Sequence, residues 1–169
     1  KPHELVVIDP VTGIMLQRID LPSNQDTDPN PTPVSEQILQ PDKEGQLSYT
    51  GLVFSPDGNR IYLANVNGNI KVFAVDQRTG MVSGLFTITL RRADAPDRKT
   101  EIPAGLAVWT DGQKLYVVLN LSNRLAEFNA ADGTLLRTWD VGVAPFTVVL
   151  AGKKVYVSNW GGRRPDAQS

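Results

Sequence analysis

Short runs rich in Val, Ile, Leu, Tyr and Phe recur along this chain, each closed by a cluster of Gly, Pro, Asp or Asn. Runs of that kind, bounded by turn residues, read as β-strands. One unit of four strands is predicted near Leu52–Ser55, Arg60–Asn65, Asn69–Asp76 and Val82–Leu90. A second follows near Leu106–Thr110, Lys114–Leu119, Arg124–Asn129 and Leu135–Asp140. The chain opens with a pair near Leu5–Asp9 and Ile14–Asp20, and closes with a pair near Phe146–Leu150 and Lys154–Asn159. No amphipathic helical period competes; a short turn near Val34–Leu39 is the one helix candidate.

The units repeat in sequence as well as in pattern. Segments starting at Gly51, Gly105 and Phe146 align through Tyr62, Tyr116 and Tyr156 to Asn65, Asn120 and Asn159. Gly51 and Gly105 are 54 residues apart, as are Tyr62 and Tyr116, whereas Tyr116 and Tyr156 are 40 apart. The longer step contains an insert, Arg91 to Pro103, and without most of it the unit falls near about 40 residues, the size of a propeller blade. A second motif recurs in phase: Asp9, Asp76 and Asn129 are each followed four residues later by Gly13, Gly80 and Gly133. Asp and Asn bond their own turn backbone and Gly supplies positive φ, so each instance predicts a tight hairpin.

The expected fold is all-β, a partial β-propeller of about three four-stranded blades with half blades at both ends. Residues 1–21 form a half blade, 22–48 an insert, 49–90 a blade, 91–103 a second insert, 104–143 a blade and 144–169 a half blade. Both ends read as cut.

Phe-Ser-Pro-Asp-Gly at 54–58, Ile-Tyr-Leu-Ala-Asn at 61–65, Val-Asp-Gln-Arg-Thr-Gly at 75–80 and Val-Tyr-Val-Ser-Asn at 155–159 resemble the YVTN-type repeats of seven-bladed, lactonase-like propellers. The stretch 155–165 also resembles bacterial proteins in which such a propeller precedes an alkaline-phosphatase-like phosphoesterase domain. The metal and nucleophile motifs of that domain are absent here. The resemblance implies a periplasmic or extracellular bacterial protein.

Composition narrows the chemistry. Lys and Arg number 17 against 18 for Asp and Glu, a net charge of -1, which gives no global field for nucleic acid. No apolar run is long enough to span a membrane as a helix. With no cysteine there is no disulfide framework, thiolate metal site or cysteine nucleophile. The single histidine, His3, does not allow a Ser/His/Asp set. The channel-lining strands Leu52–Ser55, Leu106–Trp109 and Phe146–Val149 hold no carboxylate. Glu101 is the best isolated acid, but one acid is not a hard-cation site. The Asp26, Asp28, Asp42 and Glu44 group reads as a solvated loop. No metal and no cofactor is expected.

Propeller geometry sends the turns between strands two and three, and the links between blades, to one face. All the elaboration lies there, so that face is the expected binding face for a protein or small-molecule ligand. Its candidate contacts are Asn65, Asn120 and Asn159 at the ends of second strands, Arg124 and Arg163 as anion holders, and Trp160 as a stacking surface. Arg164 is a further cation beside them. The recurring tyrosines are expected to pack between blades.

The function expected is a non-catalytic scaffold or binding module in a larger bacterial protein. The alternative is part of a phosphoesterase- or lactonase-type hydrolase whose catalytic residues lie outside this chain. Three blades do not close a ring. Either the segment is a fragment with open edges, or two copies share blades in a homodimer.

Overall fold

The computed structural model describes residues 4–21, 51–66 and 68–162. His3, the 22–48 insert with its acidic group and helix candidate, and Arg163 and Arg164 lie outside the described residues. Among the described residues there are twelve strands and no helix. The first half blade is β1 (Glu4–Ile8) with β2 (Met15–Asp20). The first full blade is β3 (Leu52–Phe54), β4 (Arg60–Asn65), β5 (Asn69–Val75) and β6 (Val82–Thr89), paired in that order. The second is β7 (Pro103–Val108), β8 (Lys114–Leu119), β9 (Arg124–Asn129) and β10 (Leu135–Asp140). The last half blade is β11 (Pro145–Ala151) with β12 (Lys154–Asn159). Every pairing is antiparallel between neighbours in sequence.

The second strands of the two full blades, β4 and β8, read as nearly continuous apolar runs because both of their faces are buried. On β4, Tyr62 and Ala64 join a core shared with Leu115 and Val117 of the second blade, while Ile61 and Leu63 join one shared with Leu5, Val7 and Ile19 of the first half blade. On β8, Tyr116 and Val118 turn the other way, onto Val148, Val155 and Val157 of the last half blade. A fully buried Leu, Ile or Val among them contributes about 1.5–3 kcal/mol, so the sheets are held face to face chiefly by these three cores. Fourth strands face solvent more: along β10 every residue after Leu135 is exposed.

The repeated hairpin motif folds as its residues dictate. Asp9, Asp76 and Asn129 accept from the backbone amides of Val11, Arg78 and Ala131 at 2.8–2.9 Å. Gly13, Gly80 and Gly133 close the turns at φ of 71°, 71° and 76°.

First strands sit side by side, β7 between β3 and β11. Gly51 and Gly105 make that approach possible. A Cβ on Gly105 would stand 2.6 Å from the Thr147 Cα, and one on Gly51 would overlap the Ala104 carbonyl. The third repeat differs from the sequence alignment. Val53, Ala107 and Val149 lie opposite Tyr62, Tyr116 and Tyr156, which makes Thr147, not Phe146, the counterpart of Gly51 and Gly105. The cause is a shorter turn. Ala151 pairs directly with Lys154 across two residues, whereas the Ser55–Arg60 and Trp109–Lys114 bonds each enclose four. Strand β7 also begins at Pro103, within the stretch read as insert.

Candidate functional site

The face carrying the two-to-three turns and the inter-blade links is built as one hydrogen-bonded layer. The link from β6 to β7 crosses both full blades and is tied to each. Toward the first blade, Arg98 Nη2 donates to the Val66 carbonyl at 3.1 Å, and Leu90 N donates to Gly68 O at 2.9 Å. Toward the second, Ser122 Oγ accepts from Asp94 N at 3.1 Å and donates to Glu101 Oε2. Glu101 is 1% exposed, and its Oε1 accepts the amides of Ile102 and Leu121, both at 2.9 Å. The acid singled out in the sequence is thus the bracket that fixes this link to the β8–β9 turn. A charged acceptor matched to three donors tolerates burial that an unpaired carboxylate would not.

The candidate residues are spread over three blades on this face. Asn65 is buried at the end of β4 and its carbonyl accepts from Gly68 N at 3.1 Å. Asn120 spans blades: its Nδ2 donates to the Pro145 carbonyl at 2.9 Å, joining the β8–β9 turn to β11. Arg124 lies between two carboxylates, Asp94 at 2.7 Å and Asp140 at 3.2 Å. Asn159 and Trp160 come together at the end of β12. Trp160 stacks on Phe146, with ring centroids 4.2 Å apart and planes 19° apart, and remains 73% exposed. Among the described residues Asn159 Oδ1 is buried with no hydrogen-bond partner, and its side chain fills the space that a Cβ on Gly142 would need, 2.6 Å from Cγ. Backbone bonds from Trp160 N to Ala144 O and from Gly161 N to Val143 O, both 2.9 Å, hold this corner. Arg163 is the one candidate outside the described residues.

Two constellations escaped the sequence reading. Glu127, 1% exposed on β9, sits between Lys114 Nζ at 3.3 Å and Arg137 Nη2 at 3.0 Å. Burial alone would raise its pKa, but Arg137, Tyr116 and Lys114 together hold it below the ordinary value. Tyr116 is pushed up, first by burial and then by Glu127. Its ring lies in an aromatic ladder, 5.9 Å from Trp109 and 6.5 Å from Trp139, over which the Arg137 guanidinium sits at 4.8 Å. Lys114, Tyr116, Glu127 and Arg137 lie on neighbouring strands, and nothing in their linear spacing announces a cluster.

The second is a cleft of about 720 Å³ on the opposite face, where the sequence had suggested only tight turns. It lies between the first and second full blades and is lined by Asp57, Arg60, Tyr62, Asp111 and Lys114 among others. The Ser55 hydroxyl, then the Asn59 amides, hold Asp57 below the usual carboxylate range. Arg60 Nη1 and the Tyr62 hydroxyl both donate to the Ala130 carbonyl, at 2.9 and 2.8 Å. That cleft therefore has a floor of inter-blade clamps. Among the described residues no three His, Cys, Asp or Glu side chains gather as a metal site.

With this geometry in hand, residues 51–161 match the seven-bladed lactonase β-propeller family. The chain belongs to that family. A solved protein from Lactobacillus plantarum is 32% identical, with TM-score 0.56 over 64% of this chain and 33% of its own. The periplasmic gluconolactonase of Pseudomonas aeruginosa is 27% identical, with TM-score 0.55 over 66% of this chain and 32% of its own. A Bacteroides uniformis protein whose proposed activity is that of a 6-phosphogluconolactonase is 22% identical, with TM-score 0.60 over 92% and 40%. At that identity the likeness concerns the fold. No curated protein matches the chain. The chain spans about a third to two fifths of these structures, a partial propeller.

Proposed function

We propose that this lactonase-type segment is a non-catalytic scaffold and binding module of a larger protein, working through the face that carries the inter-blade links. The observation that carries the reading is the division of labour on that face. Its buried acid, Glu101, is consumed in holding the β6–β7 link, and Arg124 is neutralised by Asp94 and Asp140. The stacked Phe146–Trp160 pair is left displayed on a backbone fixed by hydrogen bonds. Rigid presentation of an aromatic surface suits binding, because little conformational freedom is lost on contact.

The test is to titrate glucono-lactone against Trp160 fluorescence in the purified chain while assaying its hydrolysis. Binding without turnover, reduced by Trp160→Ala, is the expected result. Turnover by the purified chain that disappears with Asn120→Ala overturns the reading.

A second reading is favoured by one comparison, the 27% identity to a periplasmic gluconolactonase. The whole protein hydrolyses a lactone, and the residues that do so lie outside this chain. A longer polypeptide that turns over glucono-lactone, when this chain alone does not, supports it. An inactive longer polypeptide ends it.

A further inference from the structure

The junction between the first half blade and the first full blade is closed at its rim by one side chain. Gln17 Nε2 donates to the Val82 carbonyl and Gln17 Oε1 accepts from Val82 N, both at 2.7 Å. The hairpin explains why that edge is available. Asp76 N donates to Met81 O at 2.9 Å, so the next pair, Val75 and Val82, is a non-hydrogen-bonded one, and the Val82 peptide groups point away from β5. A primary amide carries a donor and an acceptor side by side and satisfies both.

The next junction repeats the edge without the clamp. Asn129 N donates to Thr134 O at 2.8 Å, and Leu135, opposite Phe128, turns its N–H and carbonyl outward as Val82 does. Gln17 lies opposite Val7, two residues before Asp9, and Ser83 lies opposite Ala74, two residues before Asp76. Directly opposed residues share a face of the sheet. Val7 packs toward the first full blade, and Ala74 lies on the face of Val72, which packs toward the second. Ser83 therefore stands where Gln17 stands, one junction on. Its side chain ends at the oxygen beyond Cβ, too short for that span and without the paired donor and acceptor of an amide. Among the described residues β10 pairs only with β9, and no side chain bonds the outward edge of Leu135. Both blades that frame this gap have all four strands.

We propose that this junction is a docking site for a glutamine side chain of a partner polypeptide, whose carboxamide takes at Leu135 the place that Gln17 takes at Val82. The cleft of about 720 Å³ between the two full blades leads to that spot, because its lining includes Asn129, Ala131 and Leu136 of the hairpin that carries Leu135. Asp57 and Asp111 line the same cleft with Arg60 and Lys114. Charges of both signs in equal number favour a neutral polar group over an acid or an amine. The chain itself shows the chemistry of the occupant, since the equivalent edge already holds a carboxamide. This site lies on the face opposite the Phe146–Trp160 surface and does not rest on it.

The test is amide NMR of the chain titrated with acetyl-glutamine methylamide. The Leu135 amide should shift saturably. The same blocked form of glutamate lacks the donor, and that of alanine offers only its peptide groups. Both should bind at least about tenfold more weakly, the scale of one hydrogen bond. Ser83→Gln should fill the gap from within: amide exchange at Leu135 slows and the response to the probe is lost, whereas Ser83→Ala keeps it. Gln17→Ser should empty the clamped edge and make the Val82 amide respond to the same probe. A Leu135 amide that ignores the glutamine probe or shifts equally with blocked alanine overturns the proposal. So does a response that survives Ser83→Gln, or a Val82 amide that stays silent after Gln17→Ser.

Discussion

The Tyr62 hydroxyl reaches the Ala130 carbonyl at 2.8 Å, linking residues 68 positions apart from the second strand of one blade to the outer turn of the next. Arg60 Nη1 shares that acceptor at 2.9 Å. Because Arg60 stays in place, Tyr62→Phe does not orphan the carbonyl. Its cost is the lost bond, about 0.5–1.5 kcal/mol. Urea denaturation should show a lower midpoint with an unchanged slope. Removing Arg60 as well should cost more than the two single changes combined, since the acceptor then stands without a side-chain donor.

Glycines in this fold separate into those that admit a neighbour and those that merely fill a strand. Gly105→Ala places a methyl 2.6 Å from the Thr147 Cα and 2.8 Å from Val148 N, so β7 and β11 must move apart. Overpacking of that kind costs about 1–3 kcal/mol. At Gly84, in β6, an added Cβ meets nothing within 4 Å. Gly84→Ala should stabilise by about 0.5–1 kcal/mol through the reduced freedom of the unfolded chain. Paired melting curves check both signs, and a destabilised Gly84→Ala would contradict the account of β6.

Strand order and blade phase were legible because the apolar runs, the Asx–Gly turns and the recurring tyrosines all repeat locally. The error at the third repeat came from a local length change: a two-residue turn replaced a four-residue one, which moved the Gly51 counterpart from Phe146 to Thr147. Much less of the candidate site could be read. Glu101 stood out as an isolated acid, but its partners are the amide of Leu121 and the hydroxyl of Ser122, made neighbours by the β8–β9 turn. The Arg124 charge was visible, and the Asp94 and Asp140 that flank it were scattered over 46 residues of sequence. Glu127 looked like a routine polar strand position until Lys114 and Arg137 closed on it from both neighbouring strands.

Glu101→Ala tests whether the β6–β7 link is held as described. The change removes three bonds to one carboxylate and leaves the Ile102 and Leu121 amides without their acceptor. Hydrogen bonds to a charged group are worth about 1.5–3 kcal/mol. Amide hydrogen exchange should speed up at Ile102, at Leu121 and along the 91–102 link, while the β8 amides stay protected. Equal loss of protection throughout β8 would show that Glu101 supports the blade core instead of the link.

Glu127 should set part of the acid sensitivity of the fold. Arg137, Tyr116 and Lys114 hold its folded-state pKa below the ordinary value of 4.5, despite burial that pushes the other way. A depressed carboxylate pKa stabilises the folded chain fully above the ordinary value, and that contribution is lost as pH falls through the lowered one. Stability should therefore decline as pH drops below 4.5. Glu127→Gln removes the proton uptake and both ion pairs. At neutral pH the variant should be less stable by about 1.5–3 kcal/mol, the range for hydrogen bonds to a charged group. The deficit should shrink as acid protonates Glu127 in the parent chain, so the two stability curves converge at low pH. Denaturant titrations at a series of pH values read this directly. Parallel curves would mean that the Glu127 carboxylate has the same proton affinity folded and unfolded, and that its two cations serve only to satisfy hydrogen bonds.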